Sequence, residues 1–543
     1  MDRTIGLDFG TSTSVLAESS VLGPRVIPLG LSHRWIPSIL GRDESGWLVG
    51  DDAASLTERQ ILRSAKRAIT EGANELRLPG SDEAIDANFA ITSILSNLRR
   101  VAADNFVDLT EPGALRLGCP ASWDGPKRLR LLTLVHEAGI QVDDSALIDE
   151  PIAAGVAWVE SQWARDNNVE GKVLVIDIGG GTLDVAVLKV EALQGGTSRP
   201  SVTVQSCDGL DEAGDRFDAT IAKAIANDLD EAGFAVDADE RSEDFGWLLR
   251  AAREAKEELT DHEFLHKRVD LPRGSRTIEF SRDRLADEIA PQLDRAMGLV
   301  WACLRAALMT ELAASRGRRG ALDPMAARRI EPDHLARDVD YVLIAGGMAQ
   351  SPVLIEYFAR YFPHDRIHGG VRDVSATELI AAGLANTAEF DRLNLHRPGV
   401  TFTLEWPEAR EVVYEAYKPM YDQFEVYYRN STVYRWKPSA ALPTRGEAFF
   451  TARTVGGEPI EFRIDGEVVP ALKFGFGHSV TPVIRIEPSG RIVMTDGRGV
   501  QRDFRVQQWP VLRGRHTGAI EIERGEDENN SLANLVWHQL PYD

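Results

Sequence analysis

Cysteine is scarce in this chain. Its three residues, Cys119, Cys207 and Cys303, are odd in number and far apart, with no CxxC pair. That pattern argues against a disulfide framework or a thiolate zinc site and fits isolated reduced thiols. Long apolar runs are missing too. No stretch reaches the roughly 18 residues that a membrane-spanning helix needs, so no membrane partner is expected. The opening "MDRTIGLDFG" shows no basic segment followed by an apolar one, so no secretory leader is read and a cytoplasmic location is expected. Positive charge is the minority: 61 Lys and Arg stand against 84 Asp and Glu, for a formal net charge of −23. Nucleic acid needs a basic face and is not expected as a partner. A structural metal held by histidine is not expected either.

What is present is alternation. Residues 1–393 alternate strand-like and helix-like segments, in a chain too long for a single core. "TIGLDFG" and "SVLAESSV" read as a hairpin, and "ALRLGCPASW" as a short strand. Helical spacing covers 52–72, 84–106, 126–139, 216–232, 247–260 and 283–315, with a β-like patch at 268–280. "SALIDEPIAAGVAWVES" reads as a strand end followed by a helix of small residues. Ser351 and Pro352 spell a helix start after "LIAGGMAQ". Residues 316–340 are charged and read as a surface insertion. From 401 the pattern changes to short alternating runs such as "TFTLEW", "EVVYEAY", "QFEVYYR" and "VIRIEP", which predict an antiparallel β domain over 401–510. Residues 394–400, "NLHRPGV", form a linker, and 511–543 a short acidic tail. The aromatics Phe424, Tyr427, Tyr428, Tyr434, Trp436, Phe449 and Phe450 stand at strand spacing and read mostly as core.

The chemistry sits in glycine turns. "VLVIDIGGGTLDVAVLKV" (Val173–Val190) interrupts two apolar strands with Gly179, Gly180 and Gly181, then Thr182 and Asp184. "IGLDFGTSTSVL" (Ile5–Leu16) repeats the plan with Asp8, Gly10, Thr11, Ser12 and Thr13. "YVLIAGGMAQSP" (Tyr341–Pro352) adds Gly346 and Gly347. Taken alone, each turn reads equally well as a tight hairpin. Taken together they suit polyphosphate, because glycine lets backbone N–H groups approach an anion and hydroxyls add donors. Asp8 and Asp177 cannot touch phosphate directly and make sense with a cation between, a hydrated Mg²⁺ held through water. Thr182 and Asp184 sit where they could orient an attacking water. Neither a P-loop GxxxxGK[ST] nor a GxGxxG fingerprint occurs.

These segments resemble the actin-like ATPase superfamily and, within it, the heat shock protein 70-kDa chaperones. "IGLDFGTSTS" and "VIDIGGGTLDV" resemble the family's two phosphate loops, "LIAGGMAQSPVL" its adenosine loop, and "LIDEPIAAGVAW" its first connecting segment. "SAKRAI" resembles the loop that carries a catalytic lysine, here Lys66. "GCPASWDGPKR" resembles the segment with a switch proline and a relay arginine, here Pro120 and Arg128. "DGLDEAGDRFD", with Gly214, resembles the interlobe acidic segment, and "LLRAAREAKEELT" the adenosine-holding helix, with Lys256 and Thr260 in place. The family's purine-stacking arginine is Gln350 here, and Arg253 and Glu257 replace a glutamate and a basic residue. The similarity covers about residues 3–393.

The resemblance implies an α/β, two-lobed actin-like (ribonuclease H-like) nucleotide-binding domain followed by a smaller antiparallel β domain. It implies ATP or ADP with Mg²⁺, organised by Asp8, Glu150 and Asp177. Thr11, Ser12, Thr13, Gly179, Gly180, Gly181 and Thr182 would hold phosphates. Lys66 would position the γ-phosphate, and Asp184 with Asp177 would accept from the water. The activity implied is Mg-dependent ATP hydrolysis that controls peptide or partner binding by the β domain, with a co-chaperone or exchange factor possible. "FEVYYRNSTVYRWKPSAALPTRGEAFFTART" and "VIRIEPSGRIVMTD" resemble parts of the family's peptide-binding β-sandwich, whereas its apolar linker and helical lid are not evident. A nucleotide-gated scaffold with little turnover, or a small-molecule kinase on the same fold, are the alternatives.

Overall fold

The computed structural model describes residues 3–21, 23–143, 146–167, 169–191, 200–314, 329–369, 375–386, 397–420, 433–439, 441–487, 490–508, 512–513, 516–525 and 535–537. Two of its sheets share one topology. In the first, Ile5–Phe9, Thr13–Glu18 and Arg25–Val26 are antiparallel neighbours, and Leu115–Cys119 then Leu147–Asp149 add in parallel on the other side of Ile5–Phe9. In the second, Gly171–Ile178, Leu183–Glu191 and Ser201–Leu210 are antiparallel neighbours, and Tyr341–Ala345 then Ile367–Gly369 add in parallel beside Gly171–Ile178. The same order and the same strand directions give two lobes on one plan, each with its Asp-Gly turn after the first strand. This is the two-lobed actin-like architecture. A third region, from Thr401 onward, consists of two further sheets, mostly antiparallel, around a core of their own.

The lobe sheets explain the unbroken apolar runs. Leu174, Ile176 and Ile178 enter one core with the helices Gly214–Glu231 and Arg282–Ala314. Val173 and Val175 enter another, with the helix Glu150–Trp163. A strand covered on both faces has no polar side to alternate with.

The helices Glu150–Trp163 and Leu379–Leu384 cross closely behind the site. A Cβ added at Gly383 would fall on the carbonyl oxygen of Ala153. Gly383→Ala is therefore expected to destabilise the protein by about 1–3 kcal/mol, the usual cost of forcing atoms into a close-packed core. Gly298, in the helix Arg282–Ala314, has open space around its Cβ position. Gly298→Ala should be neutral or stabilising by up to about 1 kcal/mol. Urea unfolding of both variants checks the contrast.

Some expectations are corrected and others hold. The spacing over 52–72 does not make one helix. Asp51–Ala54 and Arg67–Glu71 are short helices, Glu58–Gln60 is a 3-10 turn, and Ile61–Leu62 pairs with Leu40 and Gly41 as a strand. Ser64, at φ 56°, turns the chain between strand and helix. Residues 268–280 are part of a hairpin, Phe264–Leu271 with Gly274–Ser281. Where it begins, His262, Glu263 and His266 spell an HExxH sequence, but the helix ends at Asp261 and His266 lies on the first strand. The two imidazoles therefore do not share a helix face, as a metal-binding HExxH requires. Ser351 stands at the N-cap of Pro352–Ala359 without a side-chain capping bond. Trp436, Phe449 and Phe450 are buried and Tyr434 half-buried. Phe424, Tyr427, Tyr428, most of the 316–340 insertion, residues 394–396 of the linker and most of the tail lie outside the described residues. Among the described residues no helix is long and apolar enough to cross a membrane.

Candidate functional site

Four carboxylates converge where the two sheets meet. Asp8 lies on Ile5–Phe9, and Asp177 lies near the end of Gly171–Ile178. Asp184 stands directly across from Asp177 in the antiparallel register. Glu150 opens the helix that follows Leu147–Asp149. All four are buried. Carboxylate oxygens of Glu150, Asp177 and Asp184 lie within 4.8 Å of one another. Asp184 Oδ1 accepts from the Ala121 N–H at 2.8 Å, and Thr182 donates to the same carboxylate. Asp184 Oδ2 and Asp177 Oδ1 are buried without a hydrogen-bond partner.

Lys66 enters this cluster because of the chain reversal at Ser64. Its Nζ donates to Glu150 Oε1 at 2.7 Å and lies 5.4 Å from the Trp123 ring centroid and 6.0 Å from that of Phe9. A buried lysine with exposed fraction 4% keeps its charge only with such a partner. Burial opposes the ammonium, but Glu150 and Asp8 outweigh it and raise the Lys66 pKa. The carboxylates move the other way. Burial, then Glu150, push Asp8 up to about 7, against the pull of Lys66. Burial, with Glu150 and neighbouring aspartates, raises Asp177 well above the ordinary range, and burial with Glu150 does the same for Asp184. Buried oxygens without donors, on acids that repel one another, could serve as ligands for a hard cation such as Mg²⁺.

Above the carboxylates, the two glycine turns face each other. A Cβ at Gly180 would lie 2.5 Å from Ser12 Oγ, and one at Gly181 would lie 2.8 Å from Thr11 Oγ1. Thr13 follows on the same turn, opening Thr13–Glu18. Gly10 precedes it, and Gly214 packs its N–H on the Gly179 carbonyl at 3.1 Å. Gly346, at φ +85°, comes so close that a Cβ would sit 2.6 Å from Asp177 Oδ1. Beside the turns a cavity of about 390 Å³ is lined by Arg67, Glu71, Gly181, Asp211, Asp215 and Arg216, from both lobes.

The remaining sequence candidates lie at the margins. Lys256 pairs with Asp218 at 2.5 Å, a carboxylate that Arg253 also approaches to 3.4 Å. Thr260 offers its carbonyl to Arg282, and Gly347 and Gln350 are exposed. Pro120 and Arg128 lie behind the carboxylates. Buried Arg128 donates to Asp149 Oδ1 at 2.6 Å, to Cys119 Sγ at 2.8 Å and to the Trp123 carbonyl at 2.9 Å. Its guanidinium stacks 3.8 Å from the ring centroid of Tyr417, in the C-terminal region. Sequence reasoning missed Asp149, Trp123, Asp218, Tyr417 and Arg397. Asp218 and Asp208 both stand in the segment "DGLDEAGDRFD", but nothing in its spacing marks their cationic partners.

Residues 74–313 match the family described as "Hsp70 protein". A "Chaperone protein HscA homolog" of Burkholderia mallei is 26% identical over 382 residues, covering 66% of this chain and 54% of that protein. The same values hold for a homolog from Burkholderia pseudomallei. A "Chaperone protein DnaK" of Thermosipho africanus is 26% identical over 396 residues, covering 71% of this chain and 58% of its own length. The chain thus spans little more than half the length of these curated relatives.

Proposed function

We propose that this chain, a divergent relative of the Hsp70 family, binds ATP or ADP with Mg²⁺ between its lobes and hydrolyses ATP. Nucleotide state would then set peptide or partner binding by residues 401–510, in the manner of a cytoplasmic chaperone open to a co-chaperone or exchange factor. The observation that carries this reading is the buried carboxylate cluster, with its unpartnered oxygens, beneath two facing glycine turns. Asp8, Glu150 and Asp177 would hold Mg²⁺, largely through water, and the ion would neutralise charge on phosphate oxygens. The chain's own groups do the rest. Backbone N–H groups of Gly10–Thr13 and Gly179–Thr182 would cradle phosphates. Lys66 would donate to the γ-phosphate, and Asp184 would orient a water and receive its proton. Catalysis of this kind is positioning and charge neutralisation.

Calorimetric titration with ATP and ADP in Mg²⁺ tests the reading on the parent and on Asp177→Asn. The parent should bind and the variant should lose at least about tenfold in affinity, the loss of one hydrogen-bonded charged contact. No heat in the parent would overturn the proposal. The second reading, a nucleotide-gated scaffold with little turnover, is favoured by Arg253, which replaces the family's glutamate and is drawn to Asp218. Stimulation of turnover by an unfolded peptide separates the two.

A further inference from the structure

We infer that Arg397 is a positioning residue for Asp184. Arg397 lies just before Thr401–Trp406, the first strand of that region. Its Nη2 donates to Asp208 Oδ1 at 2.6 Å and its Nη1 to the Ser122 carbonyl at 3.0 Å. The two acceptors belong to different lobes. Ser122 follows Leu115–Cys119, and Asp208 lies on Ser201–Leu210. The pair is nearly closed to solvent, with side-chain exposures of 9% and 11%.

The neighbours of both acceptors hold one carboxylate. Ala121, before Ser122, donates its N–H to Asp184 Oδ1 at 2.8 Å. Gly209, after Asp208, is the cross-strand partner of Asp184. A Cβ at Gly209 would fall on Asp184 Oδ1 and lie 3.1 Å from the Ser122 nitrogen. Asp208 Oδ1 also accepts the Gly209 N–H at 2.9 Å. Arg397 therefore clips together the two backbone segments that grip Asp184 Oδ1, and that grip fixes where the unpartnered Oδ2 points. The other end of the clip is anchored in the C-terminal region. The Pro398 carbonyl accepts the Tyr417 N–H at 2.9 Å, and Tyr417 stacks on Arg128. A planar guanidinium can serve both acceptors at once, which a lysine ammonium does less well.

The inference rests on the proposed role of Asp184 in orienting water. The test compares the parent with Arg397→Gln, Arg397→Lys and Asp208→Asn. It measures the single-turnover rate with MgATP, nucleotide affinity by calorimetry, and backbone amide exchange across residues 119–123 and 205–212. Arg397→Gln and Asp208→Asn should each slow turnover at least about tenfold, while affinity changes by less than about threefold, because a small misplacement of a reacting group costs rate before binding. Amide exchange should quicken in both segments, and Arg397→Lys should recover part of both effects. Asp208→Asn carries the test if Arg397→Gln does not fold. An unchanged rate with a lowered Tm would make Arg397 a structural staple and overturn the inference. Absence of turnover in the parent would instead retire the hydrolysis reading. Amide exchange at Ala121 and Gly209 then decides Arg397 alone, with unchanged exchange overturning it.

Discussion

Lys66→Met is expected to slow ATP hydrolysis by about 10²–10³-fold, the usual effect of removing one preorganised donor from a developing negative charge. Lys66 supplies the cation hydrogen-bonded into a cluster of four buried acids. Methionine keeps much of the length and apolar contact of the side chain, so the Trp123 and Phe9 rings retain a neighbour. What is lost is the charge and the bond to Glu150 Oε1. Nucleotide affinity should move less than the rate, since the glycine turns retain their N–H donors. A single-turnover assay beside calorimetry checks this, and a rate within about threefold of the parent would remove Lys66 from the reacting centre. Glu150 would then lack its partner, and removing one member of a buried pair usually costs about 3–5 kcal/mol.

The two lobes were legible in the sequence because the Asp-Gly turns repeat with their flanking apolar strands, and the two sheets carry that repetition into identical strand orders. Asp8, Asp177 and Asp184 were legible for the same reason, each flanking one of those turns, whereas Glu150, at a helix start outside them, came only through resemblance. Lys66 was found only through resemblance. Its segment has helical spacing, and what breaks the helix is tertiary: Ile61–Leu62 joins a sheet edge and Ser64 adopts a left-handed backbone. The contacts of the C-terminal region were not legible at all. Arg397 sits in a short polar stretch with no periodicity, and Tyr417 in a turn after a strand. Their partners, Asp208 and Arg128, are far away in sequence, and no local spacing encodes such long-range pairs. The arrangement at Lys256 was hidden likewise, because Asp218 reads as one polar residue on an amphipathic helix until the fold seats it against the neighbouring helix.

Ligand-free protein should lose stability through Asp8 as pH rises from about 4 to about 7. Burial, with Glu150 nearby, raises this aspartate from 3.8 to about 7 despite the pull of Lys66. Below about 4 the group is protonated in both folded and unfolded chains, and the folded state carries no penalty from it. Between the two values the unfolded chain ionises while the folded one stays neutral, so stability falls until pH passes the folded value. A shift of about 3 units corresponds to about 4 kcal/mol. Asp177 and Asp184 are displaced in the same direction and add to the loss. Half-buried, ion-paired acids oppose it: Arg25 and Arg3 outweigh burial at Glu18, and Arg63 does so at Glu58, lowering both groups, which stabilise the protein above their unfolded values. The raw pH profile therefore mixes both signs, and the informative quantity is the difference between parent and Asp8→Asn. Urea unfolding at pH 5 and pH 8 should show the variant gaining on the parent as pH rises. Saturating MgADP should stabilise the parent most at the higher pH, because a cation lets the carboxylates ionise in place. The same ligand should stabilise the variant less than the parent if Asp8 helps to hold the ion. A parent–variant difference that does not change with pH would mean that Asp8 ionises freely in the folded protein and that burial does not raise its pKa.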